Sequence, residues 1–181
     1  MADDAQEMVH EELNKIPQTE EDFDEFDDDE EVAQISDFEE RDDLKTHTKV
    51  RSNLIGSIIS LEKSKSTTTL QTTDEMRVDN LGLIHNGFIY GGAEYAAAVA
   101  VNEENLVIIS SKVKFLAPAK SGDLIEFKAL AKFEDSRKRE IKVVGEINEI
   151  KIFEGFFQAV LLENHILKTK IKNINKDYHT L

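Results

Sequence analysis

A fourteen-residue stretch carrying a single charge sets the terms for this chain. From Phe88 to Val101 the sequence reads FIYGGAEYAAAVAV, and Glu94 is the one charged residue in it. A helix that is apolar on every side is stable only when it is surrounded. At 1.5 Å per residue it would extend about 21 Å, short of the roughly 30 Å needed to cross a bilayer core. The stretch is therefore expected to be the buried core helix of a folded domain. Its small residues, Gly91, Gly92, Ala93, Ala96, Ala97, Ala98 and Ala100, let other backbone come close. A carboxylate in such a place needs a partner or a task.

The segments around it read as strands. Residues 54–62 and 66–74 are β-prone and separated by Lys63-Ser64-Lys65, which predicts a hairpin with threonines facing outward. Residues 44–53 read as a link with a short helix, and 77–86 as an irregular approach to the helix. After the break at Asn102-Glu103-Glu104-Asn105, four strands are expected over 106–117, 123–134, 139–150 and 151–164. In the second, Leu124, Glu126, Lys128, Leu130 and Lys132 alternate with Ile125, Phe127, Ala129 and Ala131. Such alternation predicts an antiparallel sheet with one solvated face. Its apolar face must be buried on something. The one long helix is the candidate, so the sheet is expected to curve around it in an α+β domain.

Charge divides the 181 residues unevenly. Residues 1–43 hold 20 acidic and two basic residues, a balance of −18, and leave the remainder at +3. A segment this polar buries too little apolar surface to offset its ordering entropy. Residues 1–44 are therefore expected to be a disordered acidic tail, with a short helix over 5–15. Phe23, Phe26, Val32, Ile35 and Phe38 leave two readings: a solvated tail, or a segment that binds a protein partner through its aromatics. Residues 45–165 form the expected domain, and 166–181 a basic, frayed end. The tail's charge repels phosphates, so nucleic acid is not an expected partner. The absence of cysteine excludes disulfides, thiol catalysis and thiolate metal sites. No metal and no resident cofactor are expected. The opening MADDAQEMVHEEL has neither the basic start nor the apolar core of a signal peptide, and no run is long and apolar enough to span a membrane. A cytoplasmic protein is expected.

Three motifs, in order and spacing, carry a resemblance over roughly residues 50–165. The first is His85-Asn86-Gly87, with Glu94 nine positions after the histidine. The second is Val113-Lys114-Phe115-Leu116-Ala117-Pro118, followed by Gly122-Asp123. The third is Glu154-Gly155-Phe156-Phe157. Together they resemble the hotdog fold, and within it the phenylacetyl-CoA-type thioesterases. They are also similar to the acyl-CoA-sensing domain of bacterial fatty-acid-synthesis repressors. The resemblance implies a curved antiparallel sheet around the helix. It also implies a symmetric dimer, or a dimer of dimers, with acyl-CoA at the subunit interface.

It also assigns roles. Glu94 would be the general base or nucleophile of thioester hydrolysis, acting from the partner subunit. The N–H of Asn86 or Gly87, at the positive end of the helix, would be the oxyanion donor. His85 either orients the thioester or caps the helix through its ring. Asn86 stands where the family has its first glycine, and Glu94 is one methylene longer than the aspartate of the nearest relatives. The family's asparagine six positions before the histidine is Asp79 here, with Asn80 one residue on. Asn80, Gly82, Tyr90, Ser110 and Ser111 are the candidates for substrate contact. Arg137, Lys138 and Arg139, expected in a turn, are candidates for the phosphates of CoA. The main alternative to hydrolysis is a non-catalytic acyl-CoA-binding regulatory module, or a dimeric interaction protein working through its acidic tail. No helix-turn-helix is read ahead of the domain, so a direct repressor is not expected.

Overall fold

A computed structural model describes residues 41–133 and 137–168. The helix expected over 5–15, the acidic stretch with its phenylalanines, and residues 169–181 lie outside the described residues.

The chain opens with a looped segment, residues 41–51, and a single helical turn α1 (Ser52–Ile55). The hairpin β1 (Ser57–Glu62) and β2 (Lys65–Gln71) follows. A 3-10 turn (Asp74–Met76) and an irregular loop lead into the long helix α2 (Asn86–Val101). Then come β3 (Leu106–Phe115), β4 (Leu124–Phe133), β5 (Lys138–Ile147) and β6 (Ile150–Leu161). All strand pairs are antiparallel, in one six-stranded sheet of order β1-β2-β4-β5-β6-β3. This is the hotdog arrangement implied by the sequence: one apolar helix with a sheet around it.

Differences from the expected boundaries have local causes. Leu54 and Ile55 belong to α1, because Gly56 (φ 116°) breaks the chain direction before β1 begins. The last two strands are separated by Asn148 and Glu149, both at positive φ (48° and 66°). Two central residues at positive φ match the right-handed twist of the flanking strands. The helix stops at Asn102, which adopts the left-handed conformation (φ 48°) and returns its N–H to the Ala98 carbonyl. Lys138 and Arg139 are strand residues in β5, so only Arg137 of that trio precedes it.

Register places Ser66, Thr68 and Leu70 of β2 beside Ala129, Phe127 and Ile125 of β4 on the helix-facing side. On the same side β5 contributes Ile141 and Val143, and β6 contributes Phe157 and Gly155. From Ala96 to Val101 the helix is buried throughout. The Ser66 hydroxyl, itself buried, donates to the Ala96 carbonyl at 2.8 Å. Three phenylalanines fill the space between the layers, with the Phe127 and Phe153 rings edge to face at 6.3 Å. Glycines make room for them: a Cβ on Gly92 would lie 2.6 Å from the Phe127 ring, and one on Gly145 2.8 Å from it.

That packing gives a direct test. Phe127 is fully buried and cannot swing away, so Gly92→Ala is expected to destabilise the domain by about 1–3 kcal/mol through overpacking. The measure is a lower thermal or urea midpoint; an unchanged midpoint would mean that the helix and sheet pack more loosely than described.

Candidate active site

Burial along α2 is uneven at its N-terminal end. Gly87 is exposed, and Tyr90, Gly91 and Glu94 are partly open, while the residues from Tyr95 onward are covered. Positions 87, 90 and 94 are spaced by three and four, so they share one helical face. This face holds the helix start, a phenol and the helix's one carboxylate. Tyr90 is tied to β3, an edge strand, by a 3.0 Å hydrogen bond between its hydroxyl and that of Ser111. Its ring also packs against Phe157 at 5.8 Å. The open face of the helix therefore lies close to an edge of the sheet formed by the described residues.

Glu94 has a side-chain exposure of 29%, more than its wholly apolar neighbours suggested. Its partner is His47, whose Nε2 lies 3.8 Å from Oε1. Neither Tyr90 nor Tyr95 takes that role among the hydrogen bonds described. His47 comes from the segment before α1, which the sequence offered only as a link. That segment is fastened across the C-terminal end of α2. Lys45 N–H donates to Asn102 Oδ1 at 2.8 Å, and Asn102 Nδ2 donates to the Asp43 carbonyl at 2.9 Å. No periodicity or motif marked these residues, because the contact joins positions far apart in the chain.

The helix start is built around His85. It is the N-cap residue, and its Nδ1 accepts a 2.8 Å hydrogen bond from the Gly87 N–H. The capping reading of this histidine is thus what the structure displays. Asn86 is the first helical residue and is exposed. In the loop before it, Asp79 Oδ1 accepts from the N–H groups of Leu81 and Leu83, at 2.9 and 3.1 Å. Asn80 is exposed beside that turn. Gly82 takes φ 93°, and its carbonyl accepts from the Ser121 N–H at 2.9 Å. Val78, Leu81, Leu83 and Leu116 are exposed apolar side chains around the same approach.

The remaining candidates are scattered. Ser110 donates to Gln158 Oε1 on the neighbouring strand at 3.1 Å. Arg137 pairs with Glu163, and Arg139 Nη1 donates to the Lys138 carbonyl at 2.8 Å. The β5 end that carries them pairs with Ala159 and Val160, near the chain leaving the helix C-terminus, where Leu162 N–H bonds to the Asn105 carbonyl. Within one protomer they therefore sit at the opposite end of the fold from His85. Among the described residues no group of three or more histidines and carboxylates is arranged to hold a metal ion. No described helix is long and apolar enough to cross a membrane.

The family profile described as Thioesterase superfamily matches residues 81–134. Cj0977 of Campylobacter jejuni, a sigma28-regulated virulence protein, is 44% identical with a TM-score of 0.68; the match covers 70% of this chain and 89% of that one. The uncharacterized protein PH1136 of Pyrococcus horikoshii is 34% identical with a TM-score of 0.67, covering 74% of this chain and 100% of that one. A methylthioribose-1-phosphate isomerase of Aquifex aeolicus is 37% identical over 120 residues, 66% of this chain but 26% of the isomerase. Transcription factor FapR of Caldanaerobacter subterraneus is 26% identical over 127 residues, 70% of this chain and 64% of the factor. The chain thus spans about a quarter of one relative and under two thirds of the other. Two structures share the fold at low identity. One is a Streptococcus pneumoniae protein with coenzyme A (14%, TM-score 0.54, covering 60% of this chain and 87% of that one). The other is smu.793 of Streptococcus mutans bound to acetyl-CoA (15%, TM-score 0.57, covering 65% and 96%).

Two outcomes follow from the local geometry. His85→Ala removes the cap on the Gly87 N–H and is expected to cost about 0.5–2 kcal/mol in chemical denaturation. Tyr95 provides a pH test. Burial raises its phenol above the ordinary value of 10.0, and Arg41 pulls in the opposite direction. The fold prefers the neutral phenol, so this stabilisation is complete below about pH 10 and is lost as pH rises through the raised value. Stability measured from pH 9 to 12 should fall, and Tyr95→Phe should flatten that fall.

Proposed function

The chain belongs to the thioesterase superfamily, and on that premise we propose that it binds acyl-CoA and hydrolyses the thioester, with Glu94 as the base or nucleophile. The observation that carries this reading is the placement of Glu94. It is the one acid of a buried helix, partly open, on the same face as the helix start and as Tyr90, whose hydroxyl meets Ser111 of the edge strand β3.

A second copy of the chain joined at β3 would turn this open face into a cleft. The exposed Val78, Leu81, Leu83 and Leu116 supply apolar surface at its rim. In such a homodimer the acyl chain lies between protomers, and Glu94 of one subunit faces the helix start of the other. As base, Glu94 takes a proton from water while the water oxygen bonds to the thioester carbon. The carbon–sulfur bond then breaks, and the CoA sulfur leaves with the proton returned from Glu94. As nucleophile, the Glu94 carboxylate bonds to the thioester carbon and the carbon–sulfur bond breaks, releasing CoA thiolate; water then adds to the acyl carbon of the mixed anhydride, frees the acid and the Glu94 carboxylate, and gives its remaining proton to the thiolate. In both routes the developing oxyanion is met by N–H groups at the positive end of α2. Asn86 N–H serves directly, whereas Gly87 N–H must first leave His85 Nδ1. The fold-level neighbours holding coenzyme A and acetyl-CoA support this ligand class.

The capped Gly87 N–H favours one second reading. A donor already bonded to His85 suits a module that binds acyl-CoA without turning it over, and the similarity to FapR points the same way.

Short- to long-chain acyl-CoAs offered to the purified protein, with hydrolysis and thermal shift read together, separate the two. The enzyme reading expects turnover, and expects Glu94→Gln to lower kcat by about 100-fold or more while binding persists. A ligand at 100 times its Kd would stabilise the fold by about 2.7 kcal/mol. A thermal shift without turnover supports the binding module. The absence of both turnover and thermal shift overturns the acyl-CoA reading.

A further inference from the structure

We propose that His47 is the positioning residue for Glu94, and that residues 41–50 form a strap that holds its imidazole beside the carboxylate. The proposal rests on the catalytic role given to Glu94 and extends it to a segment outside the sequence motifs.

Five observations converge on this segment. His47 Nε2 faces Glu94 Oε1 at 3.8 Å. The other ring nitrogen, Nδ1, lies 2.8 Å from the hydroxyl of Thr46, a residue only 7% exposed. With that hydroxyl donating to Nδ1, the proton sits on Nε2 and points toward Glu94. The ring also stands against Tyr95, centroid to centroid 6.3 Å. Next, His47 holds φ 54°, a left-handed conformation that is uncommon for a residue with a side chain. Such a conformation persists only where its surroundings impose it. They do so here: Val50 N–H bonds to the His47 carbonyl at 3.2 Å, closing the turn. Last, the strap is pinned to the end of α2. Asn102 takes a hydrogen bond from Lys45 N–H and gives one to the Asp43 carbonyl, and Lys45 reaches Glu103 at 3.8 Å.

The 3.8 Å separation is longer than a hydrogen bond but within reach of one after a small movement or through one water. His47 therefore limits which way the carboxylate turns without locking it. Correct aim at the reacting atoms is worth large factors in rate, and a misplacement of about 1 Å can cost about 100-fold.

The test has two parts. Ring 15N NMR of the full chain, with His47→Gln identifying the signal, should show the proton on Nε2 and a clear shift of both ring nitrogens in Glu94→Gln. Unchanged ring signals in that variant overturn the proposal. In acyl-CoA hydrolysis, His47→Ala should lower kcat about tenfold with KM within about twofold. His47→Gln should recover part of the loss by keeping an N–H near the carboxylate. Asn102→Ala, which frees the strap without touching either partner, should act in the same direction as His47→Ala. A wild-type kcat in His47→Ala overturns the proposal. If the wild-type protein turns over no acyl-CoA, the hydrolytic reading fails separately, and the NMR response still decides whether His47 holds Glu94.

Discussion

A helix with no polar side cannot rest on a surface, and everything else in this domain answers that constraint. The sheet follows the apolar cylinder, which is covered throughout from Tyr95 to Val101, and its inward positions carry the side chains that fill the gap. Phe127, Phe153 and Phe157 provide the bulk, and Gly92, Gly145 and Gly155 provide the space. Large rings opposite missing side chains make this contact specific as well as apolar. The one charged interruption on the same cylinder, Glu94, stays partly open and meets His47 from outside the helix.

Much of this was legible in the sequence, because the signals were local. Alternation in 123–134 and 139–150 reports the two faces of a strand, and the uninterrupted apolar run reports burial. The positions of β3 to β6 and of α2 follow from these patterns to within a few residues. Local reading failed where geometry comes from distant partners. Leu54 and Ile55 look like strand residues and fold into a turn, since Gly56 changes the chain direction behind them. Arg137, Lys138 and Arg139 were expected together in a turn, but Lys138 and Arg139 lie in β5 and pair with Val160 and Ala159 of β6.

The candidate site shows the same division. His85, Gly87, Tyr90 and Glu94 were visible because they share one helix and its cap. His47 was not, because nothing near it in the sequence predicts that it meets Glu94, 47 positions later. Asn102 links the two levels. By ending the helix in a left-handed conformation it frees its side chain to hold the strap, so the residue that stops α2 also fastens the segment carrying the imidazole. On the proposed reading the catalytic carboxylate is set from two directions, by the helix that carries it and by the strap across that helix.

The central claim is that the open face of α2, completed by a second protomer, receives a thioester next to Glu94. A crystal structure with a non-hydrolysable acyl-CoA thioether tests it most directly. The account predicts the acyl chain between two protomers, the thioether beside Glu94 of one subunit and the start of α2 of the other. Ligand bound elsewhere, or a protomer that stands alone with Glu94 facing only solvent, would contradict it.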